Sequence, residues 1–195
     1  MGTRKPLLPL GGVPALVRCV EALRAAAPRE LVAVLVANAG PEEALLAPWR
    51  VTIARNPDPG ADMAASARIG LAALAERPDG VLIALADHPL VRPETCRGLR
   101  ARFDAEPGAI HLPVYGGHHG HPVLFPRELL DELNAGGTLR DIVHRYSERV
   151  RAFAVEDPGV AFDMDTPGDY ARLRRLARED SEGKTGSASR PSSSA

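Results

Sequence analysis

Three aspartates are the side chains best suited to chemistry in this 195-residue chain. Asp87 ends a continuous apolar segment, whereas Asp163 and Asp165 lie close together much further along the chain. Mg²⁺ is a hard cation that proteins usually hold through one or two carboxylates, with substrate phosphates and water as its other ligands. The three carboxylates therefore predict a magnesium site, provided that the fold brings their segments together.

Each aspartate also has a purely structural interpretation, and the residues alone leave both interpretations open. Asp165 or Thr166 can cap a helix whose first position is Pro167. Asp87 can accept hydrogen bonds from its own backbone where a loop begins. Asp163 and Asp165 alternate in an extended segment, so one of them can serve the helix while the other points elsewhere.

A second kind of candidate is the cation Lys5, close to the start of the chain. Only two lysines occur, and the other, Lys184, falls in a segment rich in Ser and Gly. A lysine at a strand-to-helix connection can bind a phosphate as a point charge on a flexible stem. The alternative is an ordinary exposed lysine in a chain whose codon usage favours arginine.

The segment "GGHHGH" (116–121) brings His118, His119 and His121 together in the sequence. Their spacing matches no strong zinc pattern, and no cysteine or acidic residue lies close to them. We therefore favour a Gly-rich loop that presents polar groups to a ligand. The chain also lacks the GxxxxGK[ST], GxSxG and HExxH motifs, which disfavours P-loop kinases, α/β-hydrolases and zinc peptidases.

The candidate residues would be positioned by strands and helices that alternate along the chain. Apolar strands in this order predict a three-layer α/β fold with a mostly parallel sheet, in which ligands bind at the carboxyl ends of the strands. Such a fold normally begins with a strand, yet the first regular element expected here is a helix. The predicted helices cover 13–27, 41–47, 62–77, 92–105, 126–134, 137–147 and 165–180, and the predicted strands cover 30–37, 50–55, 79–87, 109–115, 121–126 and 149–156.

The composition is that of one globular domain, with 45% hydrophobic and 25% charged residues. We predict a domain over 1–180 and a disordered tail over 181–195, because the tail has almost no apolar content. A formal net charge of -1 provides no bulk attraction to nucleic acid or to an anionic membrane. Cys19 and Cys96 form no disulfide or metal pattern, so a reducing cytoplasm is the expected location.

Five segments, in order, resemble a known family. It is the molybdenum-cofactor cytidylyltransferase and guanylyltransferase group of nucleotidyltransferases, which carry the MobA-like NTP transferase domain. Single motifs of this kind are weak, but five in the same order are specific, and together they span almost the whole chain up to the tail. The segments are "MGTRKPLLPLGGVP" (1–14), "NPDPGADMAASARIGL" (56–71), "LIALADHPLV" (82–91), "YGGHHGHPVLFPREL" (115–129) and "GVAFDMDTPGDY" (159–170).

The resemblance implies a Rossmann-like nucleotidyltransferase. In this family an NTP binds with Mg²⁺, a phosphate oxygen of the acceptor attacks the α-phosphorus, and pyrophosphate leaves. CTP is the favoured nucleotide, GTP the other choice, and molybdopterin the favoured acceptor. These are small-molecule partners; a molybdoenzyme or a chaperone is the protein partner that the family suggests.

The resemblance also assigns roles to residues of this chain. Lys5 and Asp87 match the family's phosphate-binding lysine and metal-binding aspartate, and are implied to be catalytic. Mg²⁺ is implied to lie on Asp87 and Asp165, with Asp163 as a further ligand. The nucleotide or the acceptor is implied to contact Lys5, Asn56, Ser66, Arg68 and His121, although close helix packing explains Ser66 and Gly70 equally well.

The chain departs from the family pattern at its start. The family's opening LAAGxSxR, which would supply the first strand and a Gly-rich phosphate-binding turn, is missing ahead of "MG". A start placed too late, or a real loss of this segment, would each account for that. Two alternative functions follow: a non-catalytic descendant that binds a nucleotide or a protein, and a sugar-phosphate nucleotidyltransferase on the same fold.

Overall fold

The chain forms strands and helices in alternation, in agreement with the predicted α/β class. A computed structural model describes residues 4–58 and 60–186. Two 3-10 helices matter here: Lys5–Leu7, and Arg127–Ala135 in place of the α-helix predicted over 126–134. The α-helices are α1 (Ala15–Arg24), α2 (Gly40–Leu46), α3 (Met63–Ala72), α4 (Pro93–Ala105), α5 (Leu139–Arg145) and α6 (Pro167–Gly186). The strands are β1 (Pro9–Leu10), β2 (Val13–Pro14), β3 (Val32–Val36), β4 (Thr52–Asn56), β5 (Gly80–Ile83), β6 (Ile110–Tyr115), β7 (His118–His119), β8 (Val123–Pro126) and β9 (Val150–Ala154).

Side-chain caps explain where two of the helices begin. Asp62 caps α3, as its position in the sequence suggests, and its Oδ1 accepts a hydrogen bond from the Ala65 backbone N–H at 2.7 Å. Thr138 and Asp141 form a reciprocal capping box at the start of α5. Such caps satisfy backbone N–H groups that have no partner inside the helix.

The strand pairing is mixed rather than mostly parallel. β3 pairs with β4 in parallel, and β6 pairs with β9 in parallel, but β8 lies antiparallel between β5 and β6. The connection from Tyr115 to Val123 is too short for the crossover that a parallel neighbour needs, so β8 must return antiparallel. This connection turns at Gly116 and Gly117, whose φ angles of 57° and 82° favour glycine.

In the described part of the chain, the strands form three separate sheets. β3 and β4 form one sheet, β5 to β9 form a five-stranded sheet, and β1 and β2 form a small hairpin. β5 is shorter than the predicted strand and ends at Ile83, so Asp87 lies in a turn beyond it.

The carboxyl-terminal helix α6 is the longest of the described helices, with 20 residues. It runs to Gly186, so the predicted boundary between domain and tail at 180 falls within a helix. The rest of the predicted tail, residues 187–195, lies outside the described residues. None of the helices described over 4–58 and 60–186 is long and apolar enough to cross a membrane.

One apolar cluster joins three segments that are far apart in the sequence, and we call it the junction cluster. It connects the start of the chain, the loop after β5 and the segment ahead of α6. Its members are buried, with at most 8% exposure at Leu90 and none at Met164. The cluster consists of Leu10, Ala15, Leu90, Met164, Leu173 and Ala177.

A buried carboxylate holds the segment ahead of the junction cluster against α4. Asp157, 2% exposed, accepts hydrogen bonds from the Arg92 backbone N–H at 2.8 Å and from the Thr95 hydroxyl at 2.6 Å. It also accepts one from the Gly159 backbone N–H at 3.0 Å. Because a buried carboxylate is costly unless it is fully hydrogen-bonded, this arrangement ties residues 157–159 to the loop after β5.

We expect Met164→Ala to lower the free energy of unfolding by about 2–5 kcal/mol, because it leaves a cavity in the junction cluster. The exposed Met63, at 46% exposure, provides a matched control. Met63→Ala should change the free energy of unfolding by less than about 0.5 kcal/mol. Urea titration of both variants checks this, and equal losses would contradict the role given to the cluster.

Candidate functional site

Lys5 and Asp165 meet in the structure although they lie at opposite ends of the domain. The Lys5 ammonium Nζ donates to Asp165 Oδ1 at 2.8 Å. Lys5 begins the first 3-10 helix, and Asp165 lies two residues ahead of α6. The side chains are 33% and 61% exposed, and such a pair contributes only about 0–1 kcal/mol, so an incoming ligand can displace it.

Asp165 is free to take this role because Thr166 caps α6. The backbone N–H and the hydroxyl of Thr166 both donate to Asp169 Oδ2 at 2.7 Å. In return, the Asp169 backbone N–H donates to Thr166 Oγ1 at 3.2 Å. The Thr166 hydroxyl and backbone hold the pKa of Asp169 below its usual value. Of the two caps that the sequence left open, the structure uses Thr166.

Asp87 follows β5, and one of its carboxylate oxygens, Oδ1, is buried without a hydrogen-bond partner among the described residues. The nearest ion-pair partner, Nε2 of the His88 ring, lies 3.8 Å away, which is beyond hydrogen-bond distance. Buried carboxylate oxygens are nearly always paired, so this oxygen fits a cation ligand.

Two histidine rings and a thiol surround the turn that carries Asp87. The rings of His88 and His121 lie 5.2 Å apart between centroids, and His88 Nδ1 is 3.4 Å from the Gly159 carbonyl oxygen. The Cys19 thiol approaches the Ala86 carbonyl oxygen at 3.7 Å. The void between these groups has a volume of only about 10 Å³, which leaves room for no more than a water molecule.

Burial keeps His121 and two thiols uncharged. It lowers the pKa of His121 to about 4, with a further decrease from His88 that outweighs the opposing effect of Asp87. Burial also raises the pKa values of the Cys19 and Cys96 thiols to about 12. At neutral pH, His121 is therefore uncharged and does not compensate the charge of the Asp87 carboxylate, and neither thiol acts as a nucleophile.

The junction cluster supports both parts of the candidate site. Leu90 follows Asp87 by three residues, Met164 directly precedes Asp165, and Leu10 follows Lys5 by five. The three segments that carry these charged side chains thus share one apolar support. This places the candidate site where the loop after β5, the start of the chain and the segment before α6 come together.

The third predicted metal ligand, Asp163, lies in different surroundings. It is exposed and lines a cavity of about 190 Å³ together with Asp169 and Arg172. In the described residues no three His, Cys, Asp or Glu side chains are grouped so that they could hold a metal by themselves. A cation on Asp87 and Asp165 would therefore take most of its ligands from substrate phosphates and water, as Mg²⁺ commonly does.

Asn56 and Ser66 form a second pair of candidate residues. Asn56 ends β4, is 5% exposed and donates through Nδ2 to the Ser66 hydroxyl at 3.2 Å. Its Oδ1 accepts from the Asp58 backbone N–H at 3.0 Å. The pair thus fixes the loop between β4 and α3. Gly70 allows close packing of α3 on β3, because an added Cβ would lie 3.1 Å from a Val34 methyl group.

Arg68 has a different partner from the Asn56–Ser66 pair: its Nη1 donates to the Leu133 carbonyl oxygen at 3.1 Å. His118 and His119 are exposed in β7, where they pair with Tyr115 and Val114. His121 is the only one of the three neighbouring histidines with a ring beside His88. The structure therefore separates the histidines that the sequence groups together.

Sequence reasoning missed two features near the site. His88 is 9% exposed and faces both Asp87 and His121, and its position directly after Asp87 was the available signal. Arg4 donates to the buried Glu42 carboxylate at 2.8 Å and to the Asn38 carbonyl oxygen at 2.9 Å. No spacing in the sequence indicates these contacts of Arg4, because both partners are more than 30 residues away along the chain.

Comparison with known proteins provides a family match. The family model for the MobA-like NTP transferase domain matches residues 1–151. No curated protein matches the chain significantly.

Solved structures give further matches over most of the chain. A nucleotidyl transferase from Methanothermobacter thermautotroptrophicus is 24% identical, with a TM-score of 0.79 over 91% of this chain and 87% of that one. Rv0371c from Mycobacterium tuberculosis is 31% identical, with a TM-score of 0.78 over 90% and 91%, and it has also been solved in complex with manganese. Molybdopterin-guanine dinucleotide biosynthesis protein A from Archaeoglobus fulgidus is 18% identical, with a TM-score of 0.64 over 91% and 92%.

The lowered pKa of His121 predicts a pH-dependent stability. Between pH 6.5 and about 4 the unfolded chain binds a proton at this position and the folded chain does not, so stability falls as the pH decreases. The loss should reach as much as about 3 kcal/mol at pH 4. His121→Gln should remove this part of the pH dependence, and the exposed control His118→Gln should keep it.

Urea titrations at pH 7 and pH 4 measure the difference between the two variants. NMR titration of the ring protons reports the same pKa directly. A His121 ring that titrates near 6.5 in the folded protein would contradict the burial described above.

Proposed function

Because the chain belongs to the MobA-like NTP transferase family, we propose that it transfers an NMP group from an NTP to a phosphate-bearing acceptor. In this reaction an acceptor phosphate oxygen attacks the α-phosphorus. The bond from the α-phosphorus to the oxygen that bridges the α- and β-phosphates breaks, and pyrophosphate leaves. The observation that carries the proposal is the ion pair between Lys5 and Asp165, on a junction cluster that also includes Leu90 from the loop that carries Asp87.

Lys5 is suited to bind the triphosphate. Its pair with Asp165 is exposed, so the ammonium can exchange a carboxylate oxygen for a phosphate oxygen at little cost. The flexible stem lets the charge follow the phosphate as it becomes part of the leaving pyrophosphate. Stabilising the charge that develops on a leaving group in this way is a large contribution to catalysis.

Asp87 and Asp165 are suited to hold Mg²⁺. The orphaned Oδ1 of Asp87 and the accessible carboxylate of Asp165 are hard oxygen donors, which this cation prefers. When bound, Mg²⁺ would neutralise charge on the triphosphate and orient it. The neutral His121 and the buried thiols leave the negative charge of Asp87 available for that purpose.

The loop after β4 is suited to the nucleotide or acceptor side. Asn56 and Ser66 are held in place by their mutual hydrogen bond, and positioned polar groups of this kind orient a reactant. We propose CTP as the nucleotide and molybdopterin as the acceptor. The sequence motifs support this choice. The name of the Archaeoglobus fulgidus protein agrees with molybdopterin as the acceptor but pairs it with guanine, which keeps GTP as the other nucleotide. We also propose a cytoplasmic location, where the two free cysteines stay reduced.

We expect Asp87→Asn to lower the rate of pyrophosphate release by at least about a hundredfold, because it removes the negative charge that holds the cation. The matched control is Asp104→Asn, which changes an exposed aspartate paired with Arg100 on α4. That control should keep full activity. Pyrophosphate release is measured with molybdopterin, Mg²⁺ and either CTP or GTP, and thermal unfolding of both variants verifies the fold.

Full activity in folded Asp87→Asn protein would rule out the proposed site. Activity with sugar phosphates but not with molybdopterin would change the acceptor and keep the reaction. Calorimetry separates an enzyme from a non-catalytic descendant: NTP binding that requires Mg²⁺ and yields pyrophosphate supports the enzyme. Absence of both binding and turnover would contradict the proposal.

A further inference from the structure

A cavity at the start of α6 lies outside the groups that the proposed reaction uses, and we call it the α6 cavity. Its volume is about 190 Å³, whereas a single water needs only about 10–15 Å³, so the cavity admits a ligand of several atoms. Its walls come from the segment before α6 and from the first two turns of that helix. They consist of Ala161, Phe162, Asp163, Asp169, Arg172 and Leu173.

The α6 cavity adjoins the pair formed by Lys5 and Asp165. The buried Met164 separates the exposed Asp163 of the cavity from the exposed Asp165 of the candidate site. Two residues of backbone span at most about 7 Å, so the backbones of the two aspartates lie within that distance. A molecule whose reacting group lies at Asp165 can therefore place another part of its structure in the cavity.

A stacked guanidinium forms one wall of the α6 cavity. Arg172 Cζ lies 3.7 Å from the centroid of the Phe162 ring. That ring is held in turn, because it meets the Tyr115 ring edge-on at a centroid distance of 6.2 Å and packs against the junction cluster. Arginine planes stack on aromatic rings, and the flat bases of RNA stack on such planes. The wall is therefore suited to a flat heteroaromatic ring.

The charged groups of the cavity remain available to a ligand. Among the described residues, the Arg172 guanidinium forms no hydrogen bond or ion pair, although Asp163 and Asp169 line the same cavity. Asp163 likewise accepts no hydrogen bond from the described residues. Asp169 directs its Oδ2 to Thr166 as part of the helix cap.

The balance of these charges selects the kind of ligand. Two carboxylates and one guanidinium line the cavity, so its net charge is negative and disfavours a phosphate or another anion. A carboxylate with both oxygens available, such as that of Asp163, can accept two parallel hydrogen bonds from neighbouring N–H groups. The cavity is thus suited to an uncharged ring that carries two adjacent N–H donors on one edge.

We propose that the α6 cavity binds the flat ring of the acceptor, a nitrogen heterocycle with two adjacent N–H donors. The ring stacks on the Arg172 guanidinium, and Asp163 accepts both N–H bonds. The 2-amino-4-oxopyrimidine edge of a pterin has this pattern, because its amino group lies next to a ring N–H. The assignment of the ring to an acceptor rests on the proposed function, whereas ring binding itself does not.

This proposal gives Asp163 a different role from the metal ligand that the family resemblance implies. Asp163 holds the ring of the acceptor, and Asp87 and Asp165 remain the protein ligands of the cation. The acceptor then lies with its phosphate beside Asp165 and its ring on the far side of Met164.

The probe for ring binding is 6-hydroxymethylpterin, whose fluorescence decreases when the ring stacks, and it is titrated with the full chain. Arg172→Met keeps an unbranched stem and removes the guanidinium, so it should weaken binding at least about tenfold. Arg175→Met is the matched control on the same helix, because the exposed Arg175 lies 4.0 Å from Glu179. That control should bind the pterin as the unchanged chain does.

A second arm changes the ligand and requires no variant. In 6-hydroxymethyllumazine a carbonyl oxygen replaces the amino group, so an acceptor faces the Asp163 carboxylate. The unchanged chain should bind this ring at least about tenfold more weakly than the pterin. Asp163→Asn should remove the preference, because an amide donates as well as accepts. Thermal unfolding verifies that each variant is folded.

Absence of saturable pterin binding would overturn the proposal, and so would equal affinities of Arg172→Met and Arg175→Met. Displacement of the pterin by Mg²⁺ with CTP or GTP would place the nucleotide base in the cavity and overturn its assignment to the acceptor. Pyrophosphate release is measured separately. Turnover without pterin binding would keep the proposed function and reject this inference, whereas pterin binding without turnover would keep the ring site and reject the proposed function.

Discussion

The candidate site depends on a hydrophobic contact. Charged side chains from the start of the chain, from the loop after β5 and from the segment before α6 can act together only if their backbones are fixed to one support. Leu10, Leu90 and Met164 provide that support, and the fully bonded Asp157 holds the last segment in place. The closely packed apolar members supply rigidity, whereas Lys5 and Asp165, in the same segments, stay accessible to a ligand.

The electrostatic arrangement follows from this division between buried and exposed groups. His121 and Cys19, on the buried side of Asp87, are kept neutral by desolvation. The lysine and the second carboxylate, on the exposed side, form a weak pair that a ligand can separate. An arrangement of this kind suits a ligand that brings its own negative charge together with a divalent cation.

The sequence predicted the fold class and most elements, because these depend on local pattern and on continuous apolar runs. It did not predict the antiparallel insertion of β8, since a short Gly-rich connection decides the direction of that strand. Spacing alone could not pair Lys5 with Asp165, and only the resemblance brought both into one site. The separate cavity around Asp163 and the contact between the His88 and His121 rings depend on packing between distant segments, which no local pattern encodes.

The central claim is that Asp87 and Asp165 bind one cation together with the nucleotide. Paramagnetic broadening by Mn²⁺, the metal found in the Rv0371c complex, tests it most directly. With CTP present, substoichiometric Mn²⁺ should broaden the backbone signals around Asp87 and around Asp165 at the same metal concentration, and Asp87→Asn should abolish both effects. Broadening around only one of the two aspartates, or broadening centred on Asp163 and Asp169, would contradict the account.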